Sequence, residues 1–350
     1  MKPVIQITPY DRAFYDEFIR DFLPPAVIDI HTHVWLEQFR STDPNPRPLV
    51  TWPARVASEN SIEHLRETYE LMFPGKIVTP LVFANVLSRK DCLEAGNDYI
   101  AECMKTWNLP GLIWSTPDWN GQELETKIRA GNFRGAKSYL ALAPAHIPDS
   151  EITIYDFFPP PQLEVLNHHG WIMMLHIPRP GRLRDPVNLR QMIEIEKKYP
   201  NIKLIIAHVG RAYCPEDIGN AFETLADTRS LMFDISANTN RIVFEKLISE
   251  VGSERILFGS DLPIARMRMR RICENGRYVN LVPRGLYGDV SADPNMREVE
   301  VDDAEQMTFF LYEEIKAFRL AAEKAGLNKN DIEDIFCHNA RRLIQDTMET

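Results

Sequence analysis

The stretch Val27-Ile28-Asp29-Ile30-His31-Thr32-His33 is an apolar, β-branched run that ends in His-Thr-His, the pattern of a buried strand whose last residues are polar. Alternate side chains of a strand share a face, so His31 and His33 project together and Thr32 projects away. Two imidazoles aimed at one point are half of a metal site; two satisfied histidines at a strand end are the alternative. Three later apolar runs also end in chemically able residues: Met173-Met174-Leu175-His176, Ile205-Ile206-Ala207-His208 and Leu257-Phe258-Gly259-Ser260-Asp261. Four imidazoles and a carboxylate at one mouth could hold a divalent ion and move a proton.

Those groups meet only if the runs carrying them are neighbours in one sheet. The chain reads as strands over 27–33, 77–83, 111–115, 133–139, 171–176, 203–208, 231–235 and 255–260. Helical patterns lie between them, at 61–73, 91–107, 122–130, 162–168, 185–199, 215–226 and 241–251, and a last one covers 304–324. Eight near-continuous apolar strands, each followed by a helix, are what a closed parallel barrel requires. We therefore expect an α/β protein, a single (β/α)8 TIM-barrel domain over 1–350 with the barrel at about 26–345. Loop insertions are expected after strand 1 (34–60) and strand 8 (265–301), and a short helix within 11–25 bearing Phe14, Phe18 and Phe22 caps one end. A doubly wound open sheet ranks second, because no Gly-x-Gly-x-x-Gly turn follows a strand. A barrel also demands that functional residues sit at the C-terminal strand ends.

Composition narrows the function classes. With 50 acidic against 40 basic residues, a formal charge of -10 argues against a nucleic-acid partner and leaves room for a local basic patch facing an acidic small molecule. No run reaches the roughly twenty apolar residues of a membrane span, and the N-terminus lacks the apolar core of a signal peptide. Five scattered cysteines without a Cys-x-x-Cys pair suit reduced thiols, so a cytoplasmic protein is expected.

His31-Thr32-His33, the strand-end His176, the phrase His208-Val209-Gly210-Arg211 and the phrase Gly259-Ser260-Asp261-Leu262-Pro263 together resemble the amidohydrolase superfamily. The likeness is to its branch that includes aminocarboxymuconate-semialdehyde decarboxylase and runs from Val27 to Arg342, with the phrase Asn339-Ala340-Arg341 near its end. The resemblance implies that His31, His33, His176 and Asp261 bind one divalent metal, zinc first and manganese as the alternative. Three imidazoles and a carboxylate suit zinc and leave a position open. It further implies that Asp261 takes the proton of a metal-activated water and that His208 polarises the substrate. A second metal bridged by a carboxylated Lys137, as in other superfamily members, ranks below one metal with Lys137 as a charge in the substrate pocket.

Arg179, Arg182 and Arg184 follow His176, and Arg211 follows His208. Guanidinium groups bind carboxylates bidentately, so Arg211 and Arg179 join Lys137 as candidate substrate-binding residues, with pairing to nearby acids such as Asp185 as the alternative. His64, His146, His168, His169 and His338 lie away from strand ends and are read as structural. The basic segment 266–271 opens the second insertion and reads as a lid or a homodimer contact. The functional expectation is a metal-dependent hydrolase of an amide, lactone or related C–N or C–O bond in a small carboxylate-bearing metabolite. A non-oxidative decarboxylase is the alternative, and a non-catalytic binding barrel ranks last because no ligand is missing.

Overall fold

The computed structural model describes residues 3–39, 55–85 and 90–348. Most of the expected loop after strand 1 therefore lies outside the described residues. Eight short parallel strands follow one another around the molecule: β1 Ala26–His33, β2 Ile77–Phe83, β3 Ile113–Trp114, β4 Gly135–Ser138, β5 Ile172–Leu175, β6 Lys203–Ile206, β7 Met232–Asp234 and β8 Ile256–Leu257. Strands β3 to β8 form one parallel sheet in sequence order, and β1 pairs with β2 in another. Backbone hydrogen bonds join the two sheets at both seams. Leu112 N donates to Val82 O at 3.0 Å on one side, and on the other Ile30 N donates to Phe258 O at 3.0 Å and Asp261 N to His31 O at 2.8 Å. The eight strands thus close into the expected TIM barrel.

The strands are apolar because they are covered on both faces. Met173, Met174, Ile205, Ile206, Phe233, Ile256 and Leu257 are all fully buried. Helices Ile62–Met72, Lys90–Trp107, Gly121–Gly131, Pro160–His168, Pro186–Lys198, Ala221–Leu225 and Arg241–Val251 alternate with them. Their starts follow the sequence: the Asp185 side chain accepts from Val187 N and Asn188 N beside Pro186, and Asn240 does the same for Ile242 and Val243. Gly259 is a packing requirement, since a Cβ there would stand 2.8 Å from the His31 Cβ.

Several expectations need correction. The expected helix 215–226 is a turn at Pro215–Asp217 and a short helix at Ala221–Leu225, divided by Gly219 at φ +54°. The last long helix begins only at Phe310, because Phe309 bridges to Arg268 and the Thr308 hydroxyl is held by Asp11. The expected N-terminal helix is Pro9–Phe14 continued by a π-turn to Ile19; it does cap the fold, with Arg268 clasping Asp11 at 2.6 Å. The Asn339 side chain donates to Ser253 O and Ile256 O and so ties the C-terminal helix to β8.

The second insertion has structure that the sequence reading passed over. β9 Arg270–Glu274 and β10 Arg277–Pro283 form an antiparallel hairpin, and β11 Met296–Val299 lies parallel to β10. Asn275 and Gly276 at its tip both have positive φ, 52° and 72°, the Asn-Gly signature of a two-residue hairpin turn. The cysteines are not all reduced, contrary to expectation: Cys214 and Cys273 form a disulfide that fastens this hairpin to the segment after β6. Their separation of 59 residues leaves no local motif to read, and the bond removes the support that reduced thiols lent to a cytoplasmic location. No helix among the described residues is long and apolar enough to cross a membrane.

Candidate metal and active site

The polar cluster sits where β1, β4, β5, β6 and β8 end. His31, His33, His176, His208, Asp261 and Lys137 are all buried there, none more than 8% exposed. His31 Nε2, His33 Nε2 and Asp261 Oδ1 converge, with Oδ1 3.5 Å from the first and 3.4 Å from the second. Among the described residues, potential ligand atoms of His31, His208 and Asp261 lie within 4.8 Å of one another, a set that takes in His208 in place of the expected His33 and His176. The His208 ring lies 4.7 Å from that of His31 and 5.3 Å from that of His176, centroid to centroid.

The imidazoles are oriented from behind. His31 Nδ1 donates to Asp234 Oδ2 at 2.9 Å, His33 Nδ1 to Ala84 O at 2.9 Å, and His208 Nδ1 to Ser236 O at 3.2 Å. With these oxygens behind them, the rings are set to carry their hydrogen on Nδ1 and to present the Nε2 lone pair to the cluster. Burial, first among the causes, pushes all four imidazoles below the usual histidine range, which keeps them neutral, the form that binds metal. His176 Nδ1 is buried with no hydrogen-bond partner among the described residues, an orphan that a ligand would satisfy. Burial raises the Asp261 carboxyl, while a proton on the neighbouring His208, His33 or His31 would lower it, to about 2. Neutral imidazoles around an ionised carboxylate fit a divalent cation.

Local backbone explains how these groups turn inward. Strand β6 stops at Ile206, and His208, Val209 and Gly210 all adopt positive φ in the turn beyond it; Asp261 does so at 58° after β8. Positive φ in a non-glycine residue costs on the order of 1 kcal/mol or more, so surrounding bonds must hold it: His208 N donates to Asp234 Oδ1 at 2.9 Å, and Asp261 N to His31 O.

Lys137 is almost wholly buried, and its Nζ donates to His31 Nε2 at 2.7 Å and lies 4.1 Å from the Phe83 ring centroid. Burial pulls its amine down to about 7. Arg211 stays at the rim, its Nη1 donating to Ile177 O and Pro178 O. Arg179 is not brought into the cluster: it pairs with Asp185 at 3.3 Å, because that carboxylate is fixed as the cap of the following helix. The dismissed His169 is held by Glu125 at 2.9 Å, as a structural residue would be.

Sequence reasoning missed Asp234, which orients both His31 and His208. Its signal was available, since Leu231-Met232-Phe233-Asp234 is one more apolar run ending in a carboxylate. It also missed Asp29, buried mid-strand, which accepts from His31 N and Ser260 N and whose carboxyl burial pushes up to about 7. Aromatic rings pack against these histidines. Phe83 and Trp114 lie 4.6 and 6.5 Å from the His33 ring, and Tyr139 lies 4.8 Å from that of His176.

Comparison with known proteins agrees with this architecture. No curated protein sequence matches the chain. Among solved structures, 5-carboxyvanillate decarboxylase from Sphingomonas paucimobilis is similar over 92% of this chain and 99% of its own, at 12% identity and TM-score 0.55. A dihydroxybenzoic acid decarboxylase from Polaromonas sp. JS666, with bound manganese and the inhibitor 2-nitroresorcinol, matches over 92% and 97% at 15% identity and TM-score 0.54. A probable 2-pyrone-4,6-dicarboxylic acid hydrolase from Acinetobacter baumannii with citric acid bound matches over 91% and 99% at 14% identity and TM-score 0.56. The amidohydrolase family model covers residues 28–345, and the chain belongs to that family.

Proposed function

We propose that the protein is a metal-dependent carboxy-lyase that removes a carboxyl group from a small ring-bearing acid. The observation that carries this reading is the pairing of a buried His/Asp cluster with the aromatic wall of Phe83, Trp114 and Tyr139. Such rings would stack on a flat unsaturated acid, and the buried surroundings would strip water from its carboxylate. Two of the structural relatives described above are named decarboxylases of such acids.

His31, His33, His176 and Asp261 would hold one divalent ion, zinc or manganese, with His208 flanking it. Such an ion supplies Lewis acidity toward an oxygen of the substrate. The chain's own groups do the rest. As the carbon–carbon bond breaks, carbon dioxide leaves and the ring carbon keeps the electron pair. His208 and Asp261 relay the proton that takes its place. Arg211 and Lys137 supply positive charge to the acid while it binds. The Lys137 amine must leave His31 Nε2 for an ion to use that lone pair, and a pKa near 7 makes an uncharged amine accessible at neutral pH.

Hydrolysis is the second reading, favoured by the same ionised Asp261 beside His208, which is placed to take a proton from water, and by the relative named as a pyrone hydrolase. Metal-loaded protein offered 5-carboxyvanillate, a dihydroxybenzoate and 2-pyrone-4,6-dicarboxylate separates the two. Carbon dioxide release, with Asp261→Asn slowing it by about a hundredfold or more, is the expected result. Ring opening of the pyrone without carbon dioxide would overturn the lyase reading.

A further inference from the structure

We propose that Arg271, with Asn280 beside it on the insertion hairpin, binds a second carboxylate of the substrate, so that the acid taken at this site is a dicarboxylate. This rests on the proposed reading of the site as one for ring-bearing acids.

Arg271 and Asn280 are directly opposed across β9 and β10, so their side chains share a face. Arg271 Nε donates to Asn280 Oδ1 at 2.8 Å and Nη1 to Ala237 O at 2.5 Å. Ala237 follows Ser236, whose hydroxyl lies 2.9 Å from His208 Nδ1. The guanidinium is thus anchored one residue from a group that touches the central imidazole. Tyr213, Tyr278 and Phe310 box it in, with ring centroids 4.6, 4.6 and 4.5 Å from its central carbon.

Among the described residues only the more distant Asp261 carboxylate acts on this guanidinium. Arg182 lies over the same two tyrosines, at 5.4 and 5.0 Å, and pairs with Asp217 at 2.6 Å; Arg268, three residues earlier, pairs with Asp11. Arg271 has no carboxylate partner among the described residues. Its Nη2 makes no hydrogen bond there, and the neighbouring Asn280 Nδ2 is buried without a partner. The buried Asn280 Nδ2 is costly without an acceptor, and a planar carboxylate can accept from it and from the open guanidinium donors at once. The Cys214–Cys273 disulfide sits beside both tyrosines: Cys214 follows Tyr213, and Cys273 faces Tyr278 across the hairpin. It holds the box and the arginine as one piece.

The test compares isophthalate with benzoate, the same ring with one carboxylate fewer, by calorimetric titration of the metal-loaded full chain. Wild type is expected to bind isophthalate about tenfold or more tighter, a preference Arg271→Gln abolishes while benzoate affinity stays within about twofold. Asn280→Asp, which gives the guanidinium an internal carboxylate, is expected to do the same and serves if Arg271→Gln does not fold. Equal losses for both ligands, or a wild type without the preference, would overturn the proposal. Carbon dioxide release measured separately keeps the two readings apart. Release that persists while the preference is absent sinks only the subsite, and a preference without release sinks only the reaction.

Discussion

At the scale of single residues, the site depends on groups that do not touch a substrate. Asp234 fixes the His31 ring through Nδ1 and the His208 backbone through its amide. Replacing it by Asn keeps the shape and removes the charge that makes His31 a stronger ligand. Asp234→Asn is therefore expected to lower metal affinity about 10- to 100-fold with little change in melting temperature, measured by titration against a competing chelator. Unchanged affinity would assign Asp234 to folding alone. Asp261, held at about 2, is ionised across the working range and better suited to binding a cation than to taking a proton unaided. That is why His208 is needed beside it.

Among the elements, the helix Phe310–Ala325 carries the least expected group. Glu314 is completely buried, and its carboxyl has no well-formed hydrogen bond among the described residues, only the Ala237 backbone amide nearby to favour its charged form. Burial, aided by the charges of Asp29, Asp234 and Asp261, pushes its carboxyl well above the ordinary value of 4.5. The folded protein therefore keeps a proton that the unfolded chain loses above that pH. Stability from this group is complete below 4.5 and falls as pH rises toward the folded value, by up to about 1.4 kcal/mol per pH unit. Glu314→Gln removes the titration. In urea melts the variant should exceed wild type at pH 8 and match it at pH 4, and a constant difference across that range would contradict the assignment. The hairpin β9–β10 shows the other side of element-scale reading: its Asn-Gly tip was legible, but the fact that it folds back onto Tyr213 was not.

For the whole molecule, the proposed ligands come from strands or loops far apart in the chain, His31 at the end of β1 and Asp261 beyond β8. Only the closed barrel gathers them, so an ion held by this proposed site would bind the folded state far better than the unfolded chain. Adding zinc or manganese to chelator-stripped protein is expected to raise the melting temperature, by an amount equivalent to about 2.7 kcal/mol when free metal is a hundredfold above Kd. A melting temperature indifferent to both ions would remove the metal from the reading. The termini share in this cooperativity, since Asp11 is clasped by Arg268 and Phe22 meets Phe336 with ring centroids 5.7 Å apart.

The order of apolar runs and the residues that end them are enough to read off the alternation of strand and helix and the mouth-facing positions of His31, His33, His176, His208 and Asp261. A strand covered on both faces must be apolar along its length, and a polar residue is admitted only where it ends. Side-chain partnership was decided by the tertiary structure. Arg179 is taken by Asp185, Lys137 lies on His31, Cys214 finds Cys273, and Arg271 is left with open donors in its aromatic box. Local periodicity reports which face of an element is buried. Which distant group meets that face depends on how the barrel closes and where its insertion folds back.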